Sequence, residues 1–589
     1  MSARLQNREA GGALTRLSRL SDSYALAVLF ALALAVRLTY LVEVKDTEFF
    51  RTPVGDGAAF DRWALQIPND WVGKETFYQA PFYAYFLAVI YSVFGHDLLV
   101  VRLIQMALGA AACVLLAMAG SRFLSRRVGL LAGALLAVYA PAIFFDGIVQ
   151  KASLDLFLMT GLLLCLGCID PQRERWPPTL LAGIALGALA LTRENALILA
   201  PVVILWLAWT FWKGRIDVHV ARPIGLFVLG LGLTLMPVVV RNYSVGHEVV
   251  LTTAQFGANF YVGNNESADG LYEPLRFGHG SYPLERQDAF DIAEEAAGRH
   301  LTPGEVSAYW SERAWSWVRA HPIEWLKLLG RKWLLIWNAN EIADSDEPVV
   351  YEDQSTVLRL TGMLCVFGTV FPLALAGVAA TWAERRRLVV LYSVVLAMAA
   401  SAALFVAFAR YRFPLVPVLL LLAASCIFRI VRLARERRTN AILAYGGLVG
   451  AGLVVAHLNL GNSDNPRATA YYNLAVSLEG QGDAARAIPN YRSALDAYPD
   501  FEQAHVNLGA LLAQAGQFEE AVAEESAALK LMPDDAIAHT DLANALLELG
   551  HFDEAERQYR AAVQIQPNLV EARDGLAALS DAKRHTLAK

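Results

Sequence analysis

Eleven apolar runs constrain this chain more than any other feature. They fall near 24–44, 98–119, 128–145, 152–169, 179–191, 195–212, 222–240, 358–381, 388–408, 413–431 and 441–458. At about 1.5 Å per residue, most can cross about 30 Å of hydrocarbon. With 56% hydrophobic and 18% charged residues, the chain holds more apolar surface than one soluble core can bury, so the runs are read as membrane helices. The run at 179–191 is short by itself and is expected to extend through Pro177-Pro178 or into the Thr192-Arg193-Glu194 bend. Pro81 to Phe94 is shorter still and ends at Gly95, which fits an interfacial or re-entrant helix.

Charge asymmetry tests this choice. If 81–94 does not span, one side receives Arg4, Arg8, Arg16 and Arg19, then Arg122/Arg126/Arg127, Arg173/Arg175, Lys213/Arg215/Arg222, Arg385 to Arg387 and Arg429 to Arg438. That side is the cytoplasm by the positive-inside rule. If 81–94 spanned, the first cluster would oppose the later ones. Residues 1–23 form a cytoplasmic N-terminus, and the run after it has no small-residue cleavage motif, so it reads as a retained signal anchor. The expected location is the inner cell membrane, multi-pass, with residues 45–97, the turn 146–151, the bend 192–195, the loop 241–356, the turn 409–412 and everything beyond 459 facing the periplasm.

A net charge of -6 offers nucleic acid no global basic field. All five cysteines lie in apolar runs without histidine partners, which argues against a disulfide framework or a zinc site. In the large loop, Thr302-Pro303-Gly304-Glu305 predicts a capping-box helix start, and Pro322 opens a second helix. Six of the thirteen tryptophans, Trp310, Trp315, Trp317, Trp325, Trp333 and Trp337, fall within 28 residues there, which predicts helices at headgroup level.

From about 466 a strict 34-residue period appears: Ala470/Ala504/Ala538/Ala572, Leu474/Leu508/Leu542/Leu576, Gly482/Gly516/Gly550 and Pro499/Pro533/Pro567. This pattern predicts three tetratricopeptide repeats and a capping helix from about 570. The fold expected is therefore all-α: a membrane domain over 24–460 that includes the 241–356 loop, then an α-solenoid over 461–589.

Ionisable residues beside apolar spans persist mainly where they face a polar cavity, and here they collect on the periplasmic side. Asp56 lies between two glycines; Asp155 begins a span, where helix N-terminal stabilisation explains it equally well. Lys74, Lys151, Arg193, Arg241, Arg410 and Arg412 are the expected phosphate ligands, and Tyr83, Glu194, Asn264 and Glu341 the expected substrate contacts. Carboxylates facing guanidinium groups at a membrane surface suit sugar transfer from a lipid-linked phosphate: the acceptor must lose a proton, and the departing phosphate needs cations. Asp56 would take the proton during direct, inverting attack; Asp155 is the second catalytic candidate. Asp61 reads better as a capping or surface carboxylate.

Several motifs, in order and on one side, carry a resemblance: Asp56 followed by Phe60 and Ala64, Pro81-Phe82-Tyr83 opening a helix that ends Phe94-Gly95, Lys151-Ala-Ser-Leu-Asp155-Leu, Thr192-Arg193, Arg241-Asn242-Tyr243 before Gly263-Asn264-Asn265, and Arg410-Tyr-Arg412-Phe-Pro414. Over roughly 24–430 the chain resembles the polyprenyl-phosphate-dependent glycosyltransferases of the GT-C fold, the protein O-mannosyltransferase and aminoarabinose transferase superfamily. It departs from them at Gly57, where the family commonly has a second acidic residue, and at Gln79-Ala80, where a basic residue often precedes the proline. Lys74, Arg62 and Lys151 are the substitutes the sequence offers. The resemblance implies a polyprenyl-phosphate sugar donor, often a mannose, and a protein acceptor held by the repeats. No cofactor beyond that lipid-linked donor is required, and a divalent metal is left open. A membrane-anchored scaffold and a transporter are the competing classes; the scaffold leaves the Asp/Arg cluster without purpose, and a transporter should have internal symmetry.

Overall fold

The computed structural model describes residues 2–173, 175–214, 217–276, 282–341, 345–460 and 465–587. Every regular element among them is helical. The chain divides into two units: Met1–Arg51, Asp56–Asp344 and Tyr351–Asn462 form the first, and Thr52–Gly55, Ser345–Val350 and Ser463–Lys589 the second.

In the first unit, seven stretches among the described residues are long and apolar enough to cross a membrane: Ser23–Val44, Leu98–Phe123, Glu194–Phe211, Val218–Gly246, Thr356–Ala403, Ala409–Arg435 and Thr439–Ala456. An eighth results if Arg126–Ala137 and Ala140–Gly147, bent by 53°, act as one; Pro141 in the first turn of the second piece marks the break. Thr356–Ala403 is 48 residues long and holds two of the expected spans, carried by Phe367–Thr381 and Arg385–Ala403. The expected spans at 152–169 and 179–191 are helices of 16 and 15 residues, Ala152–Gly167 and Trp176–Ala190. At about 22–24 Å they fall short of a hydrocarbon core. Their reach is limited at one end by polar turns, Gln150-Lys151 and Thr192-Arg193, which the side-chain cluster described below uses. Phe82–Phe94 is a separate 13-residue helix with Val89, Val93 and Phe94 exposed and Tyr83, Leu87 and Ile90 buried.

Trp176–Ala190 and Val218–Gly246 touch through bare backbone. A Cβ on Gly183 would lie 2.1 Å from Phe227 O, and one on Gly230 2.2 Å from Leu180 O, the close approach that small residues permit between membrane helices.

The loop helices start as the sequence predicts: Thr302 and Glu305 form a reciprocal capping box with Pro303 in the first turn, and Pro322 begins Pro322–Trp337. The tryptophans divide by location. Trp315 is exposed, but Trp310 is buried among Ala258, Ala289, Ala293 and Val306 and donates from Nε1 to Ala289 O at 2.9 Å. Trp337 is buried against Phe371. At least these two serve a protein core, which composition alone cannot distinguish from an interfacial belt.

The second unit stacks helix pairs Pro466–Glu479/Ala484–Ala497, Glu502–Gln514/Phe518–Leu531 and Ala536–Glu548/Phe552–Ile565, then Val570–Leu587. Gly482, Gly516 and Gly550 turn the chain between paired helices with φ of 77°, 77° and 79°, a left-handed conformation that glycine adopts without penalty. The periodic alanines Ala487, Ala504, Ala521, Ala538, Ala555 and Ala572 are fully buried. Two loop segments join this unit: Ser477 Oγ donates to Pro53 O at 2.8 Å, and Asn473 Nδ2 to Ser345 O at 2.9 Å.

Candidate active site

All twelve candidate residues belong to the first unit, and five of them converge. Asp56 sits in the first turn of Gly55–Gln66 and is ion-paired with Arg410. Arg410 belongs to the one-turn helix Ala409–Arg412 that opens the stretch Ala409–Arg435, ahead of its long helix Val416–Arg435. Asp155, in the first turn of Ala152–Gly167, pairs with Arg193 at 2.8 Å. The ring of Tyr411 links the two pairs, with the Arg193 guanidinium 5.3 Å and the Arg410 guanidinium 5.4 Å from its centroid, within the range of attraction between a cation and an aromatic face. Lys151 completes the cluster. It is buried, its backbone N–H donates to Gln150 Oε1 at 2.9 Å, and its ammonium, which makes no side-chain hydrogen bond among the described residues, lies 5.7 Å from the Phe60 ring.

Burial pushes the Asp56 carboxyl up, but Arg410, Lys151 and Arg193 outweigh it and hold the group below the usual carboxylate range. Burial pulls the Lys151 ammonium down; Glu194 opposes this, while Arg193 and Arg410 add to it. Asp155 keeps one oxygen, Oδ1, buried and without a partner among the described residues. Arg410, Lys151 and Arg193 thus face Asp56 and Asp155, with Glu194 near enough to act on Lys151, in a site screened from water where charged groups act most strongly on one another.

The other candidates are committed elsewhere. Arg241 donates to Val72 O and Glu75 O, both at 2.5 Å, and lies 3.7 Å from the Phe77 ring centroid, fastening the first loop to Val218–Gly246. Arg412 donates to Ile336 O, Asn338 O and Asn340 O, pairs with Glu341 at 3.0 Å and covers the Phe367 ring. Glu194 accepts from Thr253 and Gln255 at 2.8 and 2.7 Å. Asn264 bridges Phe260 O, Leu404 O and Trp325 Nε1. Tyr83 is buried and donates to Gln105 at 2.6 Å, and Lys74 is exposed. Among the described residues no group of three or more His, Cys, Asp or Glu is placed to hold a metal.

Sequence reasoning missed a second buried network. Arg37 pairs with Asp146 at 2.7 Å. Arg102 donates to Gly147 O at 2.8 Å and Phe50 O at 2.6 Å, and Gln105 to Asp146 O and Ile148 O at 3.2 and 2.7 Å. These residues bind the turn that leads into Lys151. Their signal was available: polar and charged groups within apolar runs are costly and rarely idle.

Residues 78–240 match the family of dolichyl-phosphate-mannose-protein mannosyltransferases. Tyr83, Lys151, Asp155, Arg193 and Glu194 lie inside the mannosyltransferase match, while Asp56 and Arg410 lie outside it. Residues 472–536 and 536–569 match tetratricopeptide repeats. No curated protein matches the chain in sequence. Among solved structures, it is similar to ArnT from Cupriavidus metallidurans bound to undecaprenyl phosphate, with 15% identity over 91% of this chain and 79% of that one and a TM-score of 0.41. It is also similar to the oligosaccharyltransferase AglB from Archaeoglobus fulgidus, with 14% identity over 79% and 56% and a TM-score of 0.42. The S. cerevisiae Pmt1-Pmt2 complex bound to its sugar donor gives 15% identity over 43% and 38% and a TM-score of 0.33.

Proposed function

We propose that the enzyme moves one sugar from a polyprenyl-phosphate donor to an acceptor, a protein, on the periplasmic face by direct inverting displacement. The observation that carries this is the group of Asp56, Arg410, Lys151, Arg193 and Asp155, buried except for the partly exposed Asp56. The acceptor nucleophile bonds to the anomeric carbon, the bond from that carbon to the phosphate oxygen breaks, and polyprenyl phosphate leaves with the electron pair while Asp56 takes the acceptor's proton. Lys151, whose ammonium makes no side-chain hydrogen bond among the described residues, meets the phosphate together with Arg410. Paired with Arg410, Asp56 is a weak base. A phosphate competing for that guanidinium frees the carboxylate and raises its proton affinity, so donor arrival strengthens the base. Asp155 and Arg193 set the position of Tyr411 between the two guanidinium groups. Arg241, Arg412, Asn264 and Tyr83 act on the surrounding frame.

The test is transfer from a radiolabelled polyprenyl-phosphate sugar, with periplasmic glycoproteins of wild-type and deletion cells compared by mass spectrometry. Unchanged glycoprotein profiles, with no transfer from any such donor, would contradict the proposal. Sidedness is tested separately: Glu266→Cys and Asp574→Cys should react with a membrane-impermeant thiol reagent in intact spheroplasts, and Arg386→Cys should not. All five native cysteines are buried or partly buried, so background labelling should be low; the reverse pattern would move the site to the cytoplasm.

The repeats are assigned acceptor recruitment. Tethering a binding module beside a catalytic domain raises local acceptor concentration without touching the bond-making groups. Removing 466–589 should spare turnover of a small acceptor and raise the apparent KM for the natural protein. Equal loss of both activities from a stable membrane domain would refute recruitment.

A further inference from the structure

Along the 34-residue period one buried position reads Tyr491, Glu525, Tyr559. In the outer repeats the phenol is satisfied: Tyr491 donates to Glu479 and Tyr559 to Asn544, both at 2.5 Å. Glu525 is fully buried, yet neither carboxyl oxygen has a hydrogen-bond partner among the described residues. Its side chain lies against Gly509, where a Cβ would come within 2.3 Å of Oε1. The equivalent positions in the flanking repeats are Ala475 and Ala543, so the middle repeat has exchanged two packing residues for a carboxyl and the space it needs.

Other carboxylates surround it. Glu502 is buried with Oε1 also lacking a partner among the described residues, Asp541 is half-buried on Ala536–Glu548, and Asp535 caps that helix. Glu524 faces His505 at 2.6 Å. Burial, with Asp541 and Asp535 next, pushes Glu525 up to about 10. Burial and Asp535 bring Glu502 to about 7, and the same two causes bring Asp541 to about 6. Residues 502–548 hold nine carboxylates against one lysine, Lys530, and two histidines, His505 and His539. A buried carboxyl with neither oxygen paired is costly, and a bound cation is what would offset that cost. An ammonium or guanidinium is such a cation, and its donors match the unpaired oxygens.

We infer that Glu525, with the negative charge of Glu502 and Asp541 acting on it, is a subsite of the repeat unit for a lysine or arginine side chain of the protein it recruits. This rests on the recruitment reading above and adds the chemistry of the partner. In the free protein Glu525 holds a proton at neutral pH, and the incoming cation displaces it to solvent, so binding releases up to one proton.

The probe is a fluorescein-labelled decapeptide of alternating lysine and alanine, with its lysine-acetylated and glutamate counterparts, titrated against the full-length protein in nanodiscs. Only the lysine peptide should bind. Its binding heat at pH 7.5 should vary with the buffer's ionisation enthalpy. Glu525→Gln, which keeps shape and removes the acid, should weaken binding about tenfold or more. Glu525→Tyr, the residue of the neighbouring repeats, should abolish it with a melting temperature no lower than wild type. Failure of the lysine peptide to bind, equal binding by Glu525→Gln, or calcium binding in its place would overturn the inference. Turnover of a small acceptor is measured on the same samples: peptide binding without any transfer counts against the proposed reaction and leaves the subsite standing.

Discussion

Asp56→Asn should leave expression and donor binding near wild type while transfer falls by about 10²–10⁴-fold, the usual worth of a positioned general base. The amide is nearly isosteric and its oxygen can still accept from Arg410, so the fold has little reason to fail. It cannot take the acceptor's proton. Removing the negative charge also leaves Arg410, Lys151 and Arg193 facing the phosphate with less competition, so donor affinity should hold or rise. Arg410→Ala separates the roles: donor binding weakens because a phosphate partner is gone, and the acid limb of the rate profile moves to higher pH. The sign follows from the charge balance. Arg410 is the largest influence holding Asp56 below its usual value against burial, so without it the carboxyl protonates at higher pH and activity is lost sooner as pH falls. Donor binding is measured directly with labelled lipid, and transfer under single-turnover conditions. Full transfer by Asp56→Asn would show that another group is the base.

The repeats were legible because a fixed period is a property of one dimension: the alanines, turn glycines and prolines recur every 34 residues, and the helices follow them. The buried ion-pair cluster was legible only as a set of charged residues beside apolar runs. Asp56 and Arg410 are 354 residues apart, and nothing in the intervening sequence says which of the six candidate cations meets the carboxylate. Charge alone could not separate Lys151, whose ammonium makes no side-chain hydrogen bond among the described residues, from Arg241 and Arg412. Both guanidinium groups are occupied by backbone carbonyls, and carbonyls carry no residue-specific mark. Arg37 and Arg102 were overlooked for the opposite reason: each sits within or beside an apolar run, where hydropathy averages it away.

Arg37 therefore carries the second large expectation. Its pair with Asp146 is fully enclosed, with side-chain exposures of 0% and 1%, and lies where Gly109 has no side chain: a Cβ there would fall 1.9 Å from Asp146 Oδ2. Removing either partner alone strands a buried charge, which typically costs about 3–5 kcal/mol. Arg37→Met and Asp146→Leu should each lower the melting temperature and the yield of folded protein sharply. The pair is also incompletely satisfied, because Arg37 Nη2 and Asp146 Oδ1 have no partner among the described residues. Replacing both residues by apolar ones of similar volume removes two stranded charges at once, so the double variant Arg37→Met/Asp146→Leu should recover most of the lost stability. Recovery of transfer is a separate matter. Arg102 and Gln105 still hold the carbonyls of residues 146–148 in the double variant, so Lys151 should keep its place and activity should return with the fold. Melting curves of the two single variants and the double variant in detergent, read beside transfer rates, complete the cycle. Single variants as stable as wild type would show that the pair is neutralised or hydrated and that the turn before Lys151 is held by Arg102 and Gln105 alone.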